Sequence, residues 1–239
     1  MVGKFDAATE LTLAGVRLPA ESDSRPRITE ADSRPRIAVL ISGRGSNLQS
    51  IIDAIAAGEL DATIAIVISS RADAAGLIRA KEAGIEAMCL SPRDYADCDA
   101  YDRAIVDILT AREVGLVCLA GFMRLVGPPL LDAFPNAILN IHPSLLPAFP
   151  GLEAQRRALE HGVHITGATV HVVTSELDAG PIVLQAAVPV LEDDTVETLA
   201  ARILVEEHRI YPEAIRILLD GGWTIEGRRF VWHQPSRSS

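Results

Sequence analysis

Apolar and polar positions alternate in two rhythms along most of this chain. IAVLIS (37–42) is a short apolar run closed by Gly43, and SNLQSIIDAIAAGEL (46–60) then spaces Leu48, Ile51, Ile52 and Ile55 on one helical face before Gly58. The pair predicts a strand, a tight turn and a helix. The same unit recurs: ATIAIVIS (62–69) reads as a strand, DAAGLIRAKEAG (73–84) as a helix, and IEAMCL (85–90) as a strand. A helix over 95–115 comes next, then LVCLAG (116–121) and AILNI (137–141) as strands. Strands alternating with helices at this spacing predict an α/β, Rossmann-like, doubly wound and mostly parallel sheet, with ligands beyond the carboxyl ends of the strands. The loops after Ser42, Leu119 and Ile141 are therefore the places to look for chemistry.

Beyond residue 141 the rhythm changes. HITGATVHVVT (164–174) and PIVLQAAVPV (181–190) are long β-branched runs around SELDAG, which predicts an antiparallel addition to the sheet. Residues 195–222 read as one long helix with a bend expected at Pro212, ending at a glycine pair. Trp223, Phe230 and Trp232 suggest a small strand pair in the tail. Residues 1–35 lack periodicity, mix both charges and repeat DSRPRI at 23–28 and 32–37, so they are expected to be a flexible extension. The expected organisation is an extension (1–35), one catalytic domain (36–222) and a tail (223–239).

Composition narrows the function classes. In 239 residues there are 22 Lys and Arg against 32 Asp and Glu, a net charge of -10, with no dense basic cluster to follow a phosphate backbone; no nucleic-acid partner is expected. No apolar stretch is long enough for a membrane span, and the early acidic residues do not suit a secretory leader. Three cysteines without metal-type spacing fit a reducing cytoplasm, and no catalytic metal is expected.

Three stretches carry candidate chemistry. SGRGSNLQ (42–49) opens the first helix, so the free amides of Gly45, Ser46 and Asn47 would face one phosphate. The dinucleotide pattern fails because Leu48 stands at its third glycine, and the Walker loop fails for want of Lys. A plain glycine turn with Ser46 as helix cap explains the same residues equally well. In LNIHPS, Asn140 and His142 share one face of a strand, Ile141 takes the other, and Pro143, Pro147 and Pro150 keep the loop after the strand extended. The pair could donate to a developing oxyanion, although a hydrogen-bonded polar pair at a strand end is the simpler account of these two residues alone. In TSELDAGPI, Asp178 sits in a loop bounded by glycine and proline. Beside His142 it would raise the imidazole pKa, keep the ring protonated, and accept a proton from an attacking amine. Among the other histidines, only His171, on the preceding strand, is a candidate to support this set.

The motifs LISGRGSNLQSIIDA, LAGFMRLV, LNIHPSLLPAFPG, TGATVHVVTSELDAGPIVLQ and EEHRIYP, in this order, resemble the phosphoribosylglycinamide formyltransferase (glycinamide ribonucleotide transformylase) family over residues 36 to about 222. The resemblance implies formyl transfer from 10-formyltetrahydrofolate, as co-substrate, to the amine of glycinamide ribonucleotide in purine synthesis. It assigns Asn140 and His142 to the formyl oxygen, and Asp178 to tuning His142 and moving the proton. It assigns Gly45, Ser46 and Asn47 to the phosphate, and Glu207, with its neighbour Glu206, to the nucleotide substrate. Met123, Arg124, Leu125 and Val126, together with Thr174, Ser175, Glu176, Leu177 and Asp178, match segments lining the folate pocket, as does Asn140. One departure stands out: Cys98 occupies a place where family members carry an Arg for the folate's glutamyl end, and Arg93 is the nearby candidate to replace it. Partners are expected to be small molecules, with monomer and homodimer both open.

Two related enzyme types share the Asn, His and Asp set. Methionyl-tRNA formyltransferase adds a nucleic-acid-binding domain for which this chain lacks length and charge, and formyltetrahydrofolate deformylase adds a regulatory domain larger than 35 residues. A noncatalytic nucleotide-binding module would explain Gly45 but not Asn140, His142 and Asp178.

Overall fold

A computed structural model describes residues 34–233. The expected extension and its DSRPRI repeat therefore lie outside the described residues, apart from the last few positions. The chain forms β1 (Arg36–Ile41), α1 (Ser46–Ala56), β2 (Thr63–Ser69), α2 (Ala75–Glu82), β3 (Ala87–Cys89), α3 (Cys98–Thr110), β4 (Leu116–Leu119) and α4 (Pro128–Ala133). It continues through β5 (Ile138–His142), α5 (Ala154–Glu160), β6 (Ile165–Val172), β7 (Ile182–Pro189), α6 (Val196–Asp220), β8 (Trp223–Glu226) and β9 (Arg229–Trp232).

The nine strands among the described residues belong to one sheet of order β3-β2-β1-β4-β5-β6-β7-β9-β8. The first five run parallel, β6 runs antiparallel to β5, and β7 runs antiparallel to β6. This is the doubly wound sheet with antiparallel C-terminal additions that the periodicity predicts. The strand pair of the tail is present and extends the sheet, with β9 parallel to β7.

Alternation along the strands builds two cores. Ile37, Val39 and Ile41 of β1 pack with Leu48 and Ile51 of α1 and with Ile203, Ile210 and Tyr211 of α6. Ala38 and Leu40 face the other way, onto Tyr101, Ile105 and Leu109 of α3 and Leu130 of α4. The period of two in a strand that is apolar on both faces is what a parallel strand covered by helices requires. The strand order reverses between β1 and β4, and the crevice of a doubly wound sheet opens at that switch point.

The differences from the expected elements have physical causes. Helix α3 starts only at Cys98 because the Asp97 carboxylate accepts the Ala100 amide 2.7 Å away and fixes the N-cap there. Helices α4 and α5 span six and seven residues, too short to imprint a period on the sequence. Helix α6 runs for 25 residues through Pro212 as one element.

Candidate active site

The loops after β1, β4 and β5 meet in one cavity of about 620 Å³, lined among others by Ser42, Gly45, Asn47, Gly121, Met123, Ile141, Pro143 and Glu207. These are the three loops that the strand pattern singles out. A second cleft of about 540 Å³ lies between α1 and α6, with Ser50, Asp53, His208 and Arg216 on its walls. Neither lining includes Asn140, His142 or Asp178, but the first carries Ile141 and Pro143, the chain neighbours of His142.

The helix-start end of the cavity is held by backbone. Gly45 is the N-cap of α1 with φ 72°, and a Cβ on it would lie 2.5 Å from the Gly76 Cα. Only glycine fits a left-handed residue pressed against another backbone. No side chain caps this helix, so Ser46 is its first residue and not its cap, and the first intrahelical bond runs from the Gln49 amide to the Gly45 carbonyl. The amides before Gln49 thus stand at the positive end of α1. Asn47 is buried, and its Nδ2 donates to the Glu207 Oε2 at 2.7 Å, joining α1 to α6, while its Oδ1 has no partner among the described residues. Burial pushes the Glu207 carboxyl above the usual range, against the opposing pull of the Asn47 hydrogen bond and the Arg44 charge. Glu206 points elsewhere: it pairs with Arg209 one turn on, at 2.8 Å, and is not part of the cavity wall.

The β5 end is set by antiparallel register. Asn140 lies opposite His171, and His142 opposite Thr169, so all four share the face away from α6. The His171 Nδ1 sits 3.1 Å from the Val172 carbonyl, which can only accept, so that nitrogen carries the hydrogen. Its Nε2 faces the Asn140 Nδ2 at 3.1 Å. One Asn140 N–H is turned to this contact and the other is left over. Asp178 adopts φ 49°, a left-handed conformation that Asp tolerates better than most residues. Gly180 packs so tightly on β6 that a Cβ would collide with the Val172 carbonyl oxygen. Together they fold the loop back and put the carboxylate between the two imidazoles. Its Oδ2 is 3.4 Å from the His142 Nδ1, and its Oδ1 is 3.6 Å from the His171 Nε2. The Gly151 amide donates to Oδ2 at 2.7 Å.

Electrostatics corrects one expectation. Burial lowers the His142 pKa, and although the Phe149 carbonyl and the Asp178 charge pull it up, the net direction is down. The ring is therefore neutral near pH 7, not held protonated. The His142 side chain is only 7% exposed and that of Asp178 8%, so removal of water outweighs a carboxylate at 3.4 Å. For Asp178, burial raises the pKa, but the His171 ring, the Gly151 amide and the His142 ring together outweigh it, and the carboxyl is held ionised, below the usual range. The His142 Nε2 lies 2.9 Å from the Phe149 carbonyl and so carries the hydrogen of the neutral ring.

Sequence reasoning missed Phe149 and Gly151 altogether, because backbone groups at φ 53° and φ 80° leave no side-chain signal. Four large apolar side chains on three loops are exposed, Met123, Leu125, Leu152 and Leu177; Leu177 precedes Asp178, and Leu152 follows Gly151. Thr174 is half-buried, with its hydroxyl 3.4 Å from the Glu176 carbonyl, while Ser175 and Glu176 face solvent. The guanidinium beside Cys98 belongs to Arg124, with Nη2 3.7 Å from Sγ, whereas Arg93 sits exposed on a 3-10 turn at Pro92–Asp94. Among the described residues no group of three or more His, Cys, Asp or Glu could hold a metal ion, and no helix is long and apolar enough to cross a membrane.

Residues 35–215 match the formyl transferase family. This chain belongs to that family. It is 46% identical over 185 residues to the phosphoribosylglycinamide formyltransferase of Escherichia coli (strain K12), covering 77% of this chain and 87% of that protein. It is 45% identical over 197 residues to the trifunctional purine biosynthetic protein adenosine-3 of Bos taurus, of which it spans only 20%. In three dimensions it is similar to the glycinamide ribonucleotide transformylase 1 of Symbiobacterium toebii, with 61% identity, a TM-score of 0.82, and coverage of 83% of this chain and 94% of that one. The resemblance drawn from the motifs, and the fold it implies, are thereby borne out.

Proposed function

We propose that this chain transfers a formyl group from 10-formyltetrahydrofolate to the primary amine of glycinamide ribonucleotide, a step of purine synthesis. The observation that carries the reading is the juxtaposition within one crevice. An anion-accepting helix start with Asn47 and Glu207 lines the same cavity as Ile141 and Pro143, the two neighbours of His142. Similarity to enzymes named for this reaction supports it.

The residues suit both substrates. The amides at the start of α1 would hold the phosphate, and the Glu207 carboxyl and the free Asn47 Oδ1 offer acceptors to hydroxyl and amine donors. The exposed side chains of Met123, Leu125, Leu152 and Leu177 offer an apolar surface to the folate ring system. Attack of the amine on the formyl carbon forms a C–N bond and turns the formyl oxygen into an oxyanion. The spare Asn140 N–H and the His142 Nε2–H are the donors for it, once the Phe149 carbonyl has given way. The proton leaving the amine passes to the His142 and Asp178 pair, where the carboxylate offsets part of the cost of charging a buried imidazole. It then leaves with the folate nitrogen as the tetrahedral intermediate collapses.

The test is a formyl-transfer assay with and without glycinamide ribonucleotide. Formyl transfer that requires the amine is expected. Release of tetrahydrofolate to water at an equal rate without it would overturn the reading in favour of a deformylase.

A further inference from the structure

The loop 121–127 contributes Gly121 and Met123 to the cavity lining and has little regular structure, yet it is tied down at both ends by side chains from other elements. At its start the Met123 amide donates to the Ser42 Oγ at 2.9 Å, and that hydroxyl is itself 2.7 Å from the Ser70 Oγ. At its end the Gly127 amide donates to the Asp102 Oδ2 at 2.6 Å. Between the two ties, Leu125 is 74% exposed and the Arg124 guanidinium lies 5.1 Å above the Tyr101 ring.

Asp102 is an unusual acid to find here. It sits in the middle of α3 on the core-facing side, is only 3% exposed, and has no part in the chemistry described above. Burial raises its pKa, opposed by the Gly127 amide and the Arg124 charge and reinforced by Asp99. A carboxylate buried without full pairing is costly, so its presence calls for a gain elsewhere. The one amide it accepts is at the N-cap of α4, where the loop ends and the helix begins. The fit is tight: a Cβ on Gly127 would come within 2.9 Å of the Asp102 Oδ2.

We infer that Asp102 is a positioning residue for the second substrate: by anchoring the Gly127 amide it fixes loop 121–127, and with it the wall formed by Met123, Arg124 and Leu125, in the conformation that receives the folate. This rests on the reading that this wall faces 10-formyltetrahydrofolate. Asp102 touches neither substrate, so its effect falls on the affinity for one substrate and not on the chemical step.

Three variants test this: Asp102→Ala, Asp102→Asn and Gly127→Ala. Asp102→Asn keeps an acceptor oxygen, whereas Gly127→Ala, at φ -93° and free of left-handed strain, pushes a methyl group into the tie. The expected result for Asp102→Ala and Gly127→Ala is a KM for 10-formyltetrahydrofolate raised at least fivefold, with kcat within twofold and the KM for glycinamide ribonucleotide unchanged. Amide hydrogen exchange over 121–127 should be faster in both, and Asp102→Asn should stay close to wild type in all of these. An unchanged folate KM in Gly127→Ala and Asp102→Ala would overturn the proposal. So would a fall in kcat and a rise in both KM values that accompany a lowered Tm, the pattern of a merely structural residue. If Asp102→Ala does not fold, Gly127→Ala and Asp102→Asn decide. If the wild type transfers no formyl group, the functional reading fails by itself, and hydrogen exchange still reports whether Asp102 holds the loop.

Discussion

At the start of α1, Gly45, Asn47 and Glu207 are held by secondary structure, while at the carboxyl end of β5 His142 and Asp178 are held by loops whose backbone turns left-handed at Phe149, Gly151 and Asp178. The first end is held tightly: two glycines packed backbone against backbone and a hydrogen bond between α1 and α6 leave it little freedom. The second is closed on itself, with the Phe149 carbonyl occupying the His142 Nε2–H. A rigid end suited to affinity beside a loop-bound end suited to the chemical step means that damage to each should register in a different kinetic constant.

The largest expected effect is at the loop-bound end. Asn140→Ala removes the donor proposed for the oxyanion, together with its contact to His171, and kcat should fall by roughly a hundredfold while the KM for glycinamide ribonucleotide changes little. Asp178→Asn should act in the same direction. Steady-state kinetics with both substrates varied would break the comparison if the loss appeared in that KM and not in kcat.

Next comes Gly45→Ala at the rigid end. A left-handed alanine costs about 1–2 kcal/mol, and the added Cβ meets the Gly76 Cα at 2.5 Å. A lowered Tm and a raised KM for the phosphorylated substrate are expected. Thermal unfolding of the variant at wild-type Tm would show that the loop is not locked as described.

Glu207→Gln should separate affinity from stability. Gln keeps an acceptor for the Asn47 Nδ2 but removes a buried carboxylate whose pKa is raised in the folded protein. A raised folded pKa means that ionisation opposes folding above the unfolded value, so the variant should have a higher Tm than wild type at pH 7. The gap should close as the pH falls and Glu207 takes up its proton. The KM for glycinamide ribonucleotide should rise meanwhile. A variant less stable than wild type at neutral pH would contradict the burial argument.

The two ends also differ in how far they could be read from sequence. The rigid end obeys local rules: an apolar run, a glycine turn and a helical period are enough to place Gly45 and Asn47 at a helix start. Glu206 stands off the cavity wall because adjacent helix positions face about 100° apart and Glu207 is the one turned inward. At the loop-bound end alternation put Asn140 and His142 on one face, but the position of Asp178 needed a left-handed residue and a tight Gly180 contact that composition only hinted at. The sign of the His142 shift was illegible, since a neighbouring carboxylate is visible in a motif and the depth of burial is not. Asp102 was silent for the same reason: in DAYDRAIVDILT it reads as one more polar position on a helix.

The smallest expected effect tests that sign. With His142 lowered and Asp178 lowered, both groups hold one protonation state between about pH 6.5 and 8, the ring neutral and the carboxylate ionised. kcat should be flat across that interval and fall only as His142 takes a proton, at a pH below the ordinary histidine value. Had Asp178 kept the ring protonated, activity would fall on the alkaline side as the ring lost its proton. Stability carries the same signature. A histidine whose folded pKa is depressed leaves the unfolded chain binding more protons, so Tm should start to decline as the pH drops below about 6.5. Asp178 adds a further loss as the pH falls from its unfolded value, near about 4, through its lower folded one. Titration of the labelled His142 ring by NMR measures the decisive quantity directly, and a midpoint above about 6.5 would show that the carboxylate outweighs burial after all.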